Sequence, residues 1–409
     1  MSAPTPVRQP TWSLGRAPAD YVLGHVRAVL PGGVVDDARV VVRDGRIAEV
    51  GPARPGVAVD VDGDGLFCLP GLVDVHSDGL EKERLPRPGA ELPWLFSMMS
   101  FEGKLRAAGI TTVFHGASFS DRETAASQRS VHVAQQMCDA IEEWNARPDA
   151  GQLVDHRVLH RLDVRSAKGL AAMRGHLDAK VAVGAYDTEV PAVISHEDHT
   201  PGIGQYADRT FFERYVAETR GISMEDARLH VDGVIRTRED SLPVREEAMD
   251  WLAARAGQGV ARIFGHDPES AVEIADLARR GGAVAEFPTT EEAAREARSR
   301  GMSIVMGGPN ILRGGSHSGN VSAEQLAGLG LVTALASDYL PSSLLGAAFA
   351  LAERDIMPLH DAVALVTSGP ATAVGLVDRG TLEPGQRADL ALVALEHGCP
   401  VVRSVVRAG

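Results

Sequence analysis

The sequence predicts an α/β fold: a (β/α)8 TIM-like barrel with a small composite β-sandwich formed by the N- and C-terminal segments. Three observations carry this. Between Phe67 and Asp338, short apolar runs alternate with helical stretches eight times. Outside that region, the pattern is short β-type runs split by turns. No G-x-G-x-x-G follows a first strand, so a doubly wound open sheet lacks its main support. With 409 residues, 44% of them hydrophobic, the chain can bury a large barrel core and a smaller module.

In chain order, residues 1–18 read as a flexible arm rich in Pro, Ser and Thr, without the apolar segment of a signal peptide. Residues 19–66 form the first part of the sandwich, with strand-like runs at Tyr21-Val22-Leu23, Val40-Val41-Val42 and Arg46–Val50. Asp44-Gly45 between the last two is a hairpin signal. Residues 67–374 are the barrel. Its expected strands are Leu72–Asp78, Ile110–His115, Val158–Val164, Ala192–Glu197, Ala261–His266, Ala283–Phe287, Ser303–Met306 and Val332–Asp338. Thr289 with Glu292, and Ser322 with Gln325, have capping-box spacing and mark two helix starts. The charged, helical segment Gln205–Gly257 is longer than a connection requires and is expected to be a lid over the barrel mouth or structural padding. Residues 375–409 supply the second part of the sandwich.

The formal net charge of −14 argues against a nucleic-acid or anionic-membrane binder, and no apolar run reaches membrane-spanning length. Three cysteines without paired spacing make neither a disulfide framework nor a zinc finger. The expectation is a cytoplasmic enzyme with a small phosphorylated substrate, assembled as a homo-oligomer.

The chemistry lies at the strand ends. In a barrel, residues at the C-terminal ends of the strands converge on one cavity. Leu69-Pro70-Gly71-Leu72-Val73-Asp74-Val75-His76-Ser77-Asp78 runs from apolar to polar, and residues two apart share a side, so Asp74, His76 and Asp78 lie together. Other ends bring Arg161 and Asp163, Asp198 and His199, His266 and Asp267, and Asp338. Imidazole and carboxylate together suit a divalent ion. One or two ions are expected, zinc first and manganese as the alternative. Such an ion lowers the pKa of bound water toward ~7. Asp338, ending the last strand, is the expected catalytic proton acceptor. Arg313-Gly314-Gly315-Ser316-His317-Ser318-Gly319-Asn320 precedes a helix start, and its clustered donors suit phosphate. Arg313, Ser316, His317, Ser318 and Asn320 are therefore candidate substrate ligands, joined by Arg161, Lys82 and Arg87.

Pro70–His76 is similar to the signature that opens the barrel of the amidohydrolase superfamily, and Gly380–Leu390 resembles the tail closing its sandwich. The H-x-D of His76 and Asp78, Asp198–Gly202, Ala285–Thr290, Arg313–Asn320 and Ser337-Asp338-Tyr339 resemble the branch of alpha-D-ribose 1-methylphosphonate 5-triphosphate diphosphatases of the carbon–phosphorus lyase pathway. That resemblance implies water attack on a triphosphate ester, giving the 5-phosphate and pyrophosphate. It implies His76, Asp78, His199, His266 and Asp338 as metal ligands, and Asp163 as a bridging carboxylate. The chain departs from the branch at Gly79, Asp163 and Pro268, where Asn, Glu and Asp are usual. Its single-histidine positions fall on strands four and five, where the superfamily commonly uses five and six. The competing expectation is a metal-dependent amidohydrolase or deaminase acting on a C–N bond.

Overall fold

A computed structural model describes residues 17–54, 56–124, 127–147, 153–206, 208–315 and 319–408. The first segment lays down β1 (Tyr21–Leu30), β2 (Gly33–Arg43), β3 (Arg46–Pro52), β4 (Val61–Asp62) and β5 (Phe67–Pro70). Asp44 and Gly45 join β2 to β3 with φ of 51° and 71°, the left-handed pair that matches strand twist in a tight hairpin. At the other end, β16 (Leu390–Glu396) pairs with β5, and β17 (Cys399–Val406) with β16. The result is one seven-stranded sheet from both chain ends, around its own cluster of Tyr21, Leu23, Val40, Ile47, Cys68 and Leu390.

The barrel strands are β6 (Leu72–Ser77), β7 (Ile110–Phe119), β10 (Asp155–Asp163), β11 (Ala192–Glu197), β12 (Ala261–His266), β13 (Gly282–Glu286), β14 (Ser303–Gly307) and β15 (Ala334–Ala336), with a hairpin of β8 (Asp121–Thr124) and β9 (Ser127–Ser130) after β7. All eight expected strands exist, and they pair in parallel in sequence order. Strand one meets strand eight through the parallel bridge of Ser77 and Asp338, where Asp338 N donates to the His76 carbonyl at 3.0 Å. Asp74 secures the same seam: its carboxylate accepts from Ser337 N at 3.0 Å and Ser337 Oγ at 2.6 Å. Every residue of β6 and β7 is buried, as strands covered on both faces must be.

The surrounding helices are α1 (Gly79–Arg84), α2 (Trp94–Ala107), α3 (Val131–Asn145), α4 (Ala167–Ala182), α5 (Arg209–Arg220), α6 (Met224–Asp240), α7 (Leu242–Gly257), α8 (Ala271–Arg279), α9 (Glu291–Ser299), α10 (Gly308–Arg313), α11 (Ala323–Gly328), α12 (Ser343–Glu353), α13 (Leu359–Ala364) and α14 (Ser368–Ala373). Ser322 caps α11 by accepting from Gln325 N, as its spacing predicts. For α9 the expected cap is displaced by one residue: Thr290, not Thr289, accepts from Ala293 N. Thr289 is already committed, its N donating to the Pro268 carbonyl at 3.0 Å and its own carbonyl accepting from Val321 N. The segment 205–257 also divides differently from expectation. Ala248, Met249 and Leu252 of α7 join the main core, so α7 is an ordinary barrel helix. Only α5 and α6 form an added unit, with a small cluster of Val216, Ala227 and Val231. Among the described residues, no helix is long and apolar enough to cross a membrane.

Barrel and terminal segment are tied by Arg379, which donates to Asp155 Oδ2 at 2.7 Å and to Thr112 Oγ1 at 2.9 Å. Burial opposes the charge on Asp155, but Arg157 and Arg379 hold its carboxyl at about 2. That value lies below the ~3.9 of an unfolded chain, so the stabilisation is present above pH ~4 and lost as pH falls toward 2. Arg379→Met is expected to cost about 2–3 kcal/mol, less than the ~3–5 of a fully buried pair because Asp155 keeps some exposure. Urea unfolding at pH 7 measures it; an unchanged midpoint would show that the pair does not hold the two parts together.

Candidate metal centre

Seven of the eight barrel strands, all but β7, deliver residues at or just beyond their ends to one cavity of about 240 Å³. Its floor follows from strand alternation: Phe264 and Val284 precede His266 and Glu286 by two residues, so both pairs face inward. Two groups of metal-competent side chains stand above. His76, Asp78 and Asp338 form the first, and His199, His266 and Asp267 the second; in each group the ligand atoms lie within 4.8 Å of one another. The structure thus brings together five residues expected from the sequence and adds Asp267.

Behind both groups is Glu286, fully buried at the end of β13. Its Oε1 lies 2.8 Å from His76 Nδ1 and its Oε2 2.7 Å from His266 Nδ1, with Ser195 Oγ donating to Oε2 at 2.6 Å. A carboxylate only accepts, so each Nδ1 carries the proton and each Nε2 is left as a ligand toward the cavity. Burial opposes its charge, but His76 and His266 hold Glu286 well below the usual carboxylate range.

A second carboxylate, Glu197 at the end of β11, lies 3.7 Å from His199 Nδ1. Arg161 joins it to the first group, its Nε donating to Glu197 Oε1 and its Nη1 to Asp78 Oδ1. Gly116 makes that reach possible: a Cβ there would lie 2.8 Å from both Arg161 Cδ and Asp78 Oδ1. Arg129 Nη2 donates to the other oxygen of Asp78 at 2.6 Å. Burial works against these charges, yet Arg161 holds Glu197 at about 2, and Arg161 with Arg129 holds Asp78 far below its usual range. Asp338 moves the other way: burial, with Asp78 alongside, pushes its carboxyl up.

The bridging role expected of Asp163 is corrected. Its carboxylate accepts from Arg238 Nη1 at 2.8 Å and from Arg165 N at 3.0 Å, and it lines neither the cavity nor either group. Arg238 reaches in from α6 and also holds Asp198, so the added helices fix the rim behind strand three. Glu197, on the next strand, is the carboxylate near His199 that Arg161 links to Asp78. Arg161 lines the cavity while it is bonded to Asp78 and Glu197. Arg313 and Asn320 line the cavity, while Lys82 is exposed with its Nζ 4.5 Å from the Tyr339 ring centroid. Arg87 is exposed outside the cavity lining. Ser316, His317 and Ser318 lie outside the described residues. At Gly79 Phe101 fills the space a side chain would need: a Cβ would lie 2.3 Å from its Cζ. The sequence reading named Asp267 at a strand end without making it a ligand, and it gave Glu197 and Glu286 no role, although the strand-end rule, applied evenly, points to both.

The amidohydrolase family model matches residues 90–398. A curated relative, alpha-D-ribose 1-methylphosphonate 5-triphosphate diphosphatase of Escherichia coli (strain K12), is 35% identical over 376 residues, 91% of this chain and 94% of that protein.

The chain belongs to the amidohydrolase family.

Imidazolonepropionase of Deinococcus deserti is 29% identical, covering 92% of each chain. The crystal structure of enamidase, an amidohydrolase superfamily member, matches with TM-score 0.56 at 15% identity, over 95% of this chain and 94% of that one. Amidohydrolase superfamily members use divalent metals, and the donors here fit one. Asp267 Oδ2 is buried without a hydrogen-bond partner, 3.4 Å from His266 Nε2 and 3.9 Å from His199 Nε2. Burial lifts the Asp267 carboxyl to about 6, and its charge with that of Glu286 overrides burial to lift His266 to about 9. A divalent cation would compete with protons for these side chains. His199, His266 and Asp267 would hold one ion, and His76, Asp78 and Asp338 could hold another.

Glu286→Gln is expected to lower metal affinity ~10–100-fold with the fold intact, because an amide NH2 opposite Nδ1 turns an imidazole proton toward the metal. Chelator competition measures this; wild-type affinity would mean that the imidazoles are oriented by other contacts.

Proposed function

We propose that this chain is a metal-dependent diphosphatase that cleaves alpha-D-ribose 1-methylphosphonate 5-triphosphate, or a close analogue, to the 5-phosphate and pyrophosphate. The observation carrying the reading is the shared cavity: Arg313 and Asn320 line the same space as both metal-competent groups. Near-full-length similarity to the Escherichia coli diphosphatase supports the same substrate class.

The bound cation supplies Lewis acidity and makes water a stronger acid. Asp338 takes the proton as the water oxygen bonds to the phosphorus nearest the ribose. The bond from that phosphorus to the leaving pyrophosphate breaks, and Asp338 returns the proton. Its raised proton affinity favours it over Asp78 as the group that takes up this proton. Asp78 and Glu197 stay ionised against Arg161, keeping the other proton sites fixed. Arg313 and Asn320 bind phosphate oxygens, with Arg313 able to make two parallel hydrogen bonds.

The second reading is hydrolysis of a C–N bond, favoured by the match to imidazolonepropionase over 92% of this chain. Phosphorus NMR of products from a panel of ribose 5-triphosphates separates the two, since a C–N hydrolase would leave the phosphorus spectrum unchanged. In that assay Asp338→Asn should cut turnover ~10²–10⁴-fold; near wild-type turnover would remove Asp338 from proton transfer. Arg313→Ala should raise KM about tenfold, the loss of ~1.4 kcal/mol of phosphate binding; an unchanged KM would count against this wall as the phosphate site.

A further inference from the structure

The third barrel strand has two chemically different faces. Arg161 on β10 points into the catalytic cavity, so by strand alternation its neighbour His160 points outward to the helices. There it meets Cys138 of α3 and His176 of α4. One ligand atom from each of the three lies within 4.8 Å of the others. Cys138 and His160 are fully buried, while His176 is partly exposed.

The proton on His160 is assigned by its neighbours. Its Nδ1 lies 3.1 Å from the Val193 carbonyl, which can only accept, so Nδ1 is the donor. That leaves Nε2 as the atom His160 can offer to the cluster. Nε2 is buried and has no hydrogen-bond partner, a situation folded proteins rarely leave unresolved. We propose that Cys138, His160 and His176 form a separate cation site, outside the catalytic cavity, for a thiophilic divalent ion of the zinc class, on the outer face of the third barrel strand.

The donor set favours this class of ion. Thiolate and imidazole suit zinc and its neighbours, whereas magnesium and calcium require oxygen. Burial pushes His160 down to about 3 and lowers His176, so both imidazoles are neutral ligands at pH 7. Burial also pushes the Cys138 thiol up to about 12. A dication reverses that preference: the sulfur binds as thiolate and its proton leaves to solvent. Tyr186 closes one side of the cluster, its ring 5.7 Å from that of His160. The partly exposed His176 gives the path of entry, and three protein ligands would leave a fourth position for water. Near that opening, Glu142 pairs with Lys180 and offsets its repulsion of a cation. The site would pin α3 and α4 to the strand that carries Arg161.

Cobalt(II) tests this with a signal the catalytic centre cannot give. Thiolate bonded to cobalt shows a near-ultraviolet charge-transfer band, and neither metal-competent group of the cavity contains sulfur. The full-length chain carrying Cys399→Ser, which removes the exposed thiol, is stripped of metal and titrated with cobalt chloride. The expected result is a band that saturates at one thiolate-bound cobalt per chain and is lost in Cys138→Ser and in His176→Ala. His176→Ala, at a partly exposed helix position, serves as the decisive variant should Cys138→Ser fail to fold. Absence of the band, or its full persistence in His176→Ala, would overturn the proposal.

Discussion

One buried carboxylate organises the catalytic end of this barrel. Glu286 touches the Nδ1 atoms of His76 and His266, which come from strands one and five. Imidazole can present either nitrogen to a metal, and the partner of the other nitrogen decides which. By accepting from both rings, Glu286 fixes two tautomers and two orientations at once. The rings stack with centroids 5.7 Å apart and 18° between planes. Isolating a charge at zero exposure is costly, and the two imidazoles with the Ser195 hydroxyl are what offset it.

Around that centre, charge is distributed so that the carboxylates differ in role. Asp78 and Glu197 share Arg161 and remain ionised. Asp338 and Asp267, with burial dominating, bind protons more tightly. Groups of the same chemical type thus become suited either to holding a cation or to moving a proton. The backbone contributes too. Asp267, Phe287 and Asp338 have φ of 51°, 54° and 55°, a left-handed region costing about 1 kcal/mol or more for a non-glycine residue. All three line the cavity, where closure between strands one and eight and the neighbouring strand ends hold them in place.

Much of the fold was legible because barrel strands are buried on both faces and read as continuous apolar runs. All eight appeared within a few residues of their expected positions. Asp44-Gly45 gave its hairpin because few residues tolerate two successive positive φ values. The cap of α9 was misread by one residue because Thr289 and Thr290 are chemically equivalent locally. Only Pro268 and Val321, brought close by tertiary contact, decide between them. Likewise, the pattern of 205–257 showed helices but not that α7 belongs to the barrel and α5 with α6 does not.

The sequence by itself determined which strands end in histidine and carboxylate, because periodicity and residue type are local properties. It therefore pointed to His76, Asp78, His199, His266 and Asp338. Tertiary structure alone decided the partners. Asp163 looks equivalent to Glu197 along the chain, yet Arg238 from an inserted helix takes the first and Arg161 reaches the second. Glu286 looks like one more strand-end acid until strands one and five bring their imidazoles to either oxygen. Electrostatic roles depend on distances between segments remote in sequence, and closure of the barrel sets those distances.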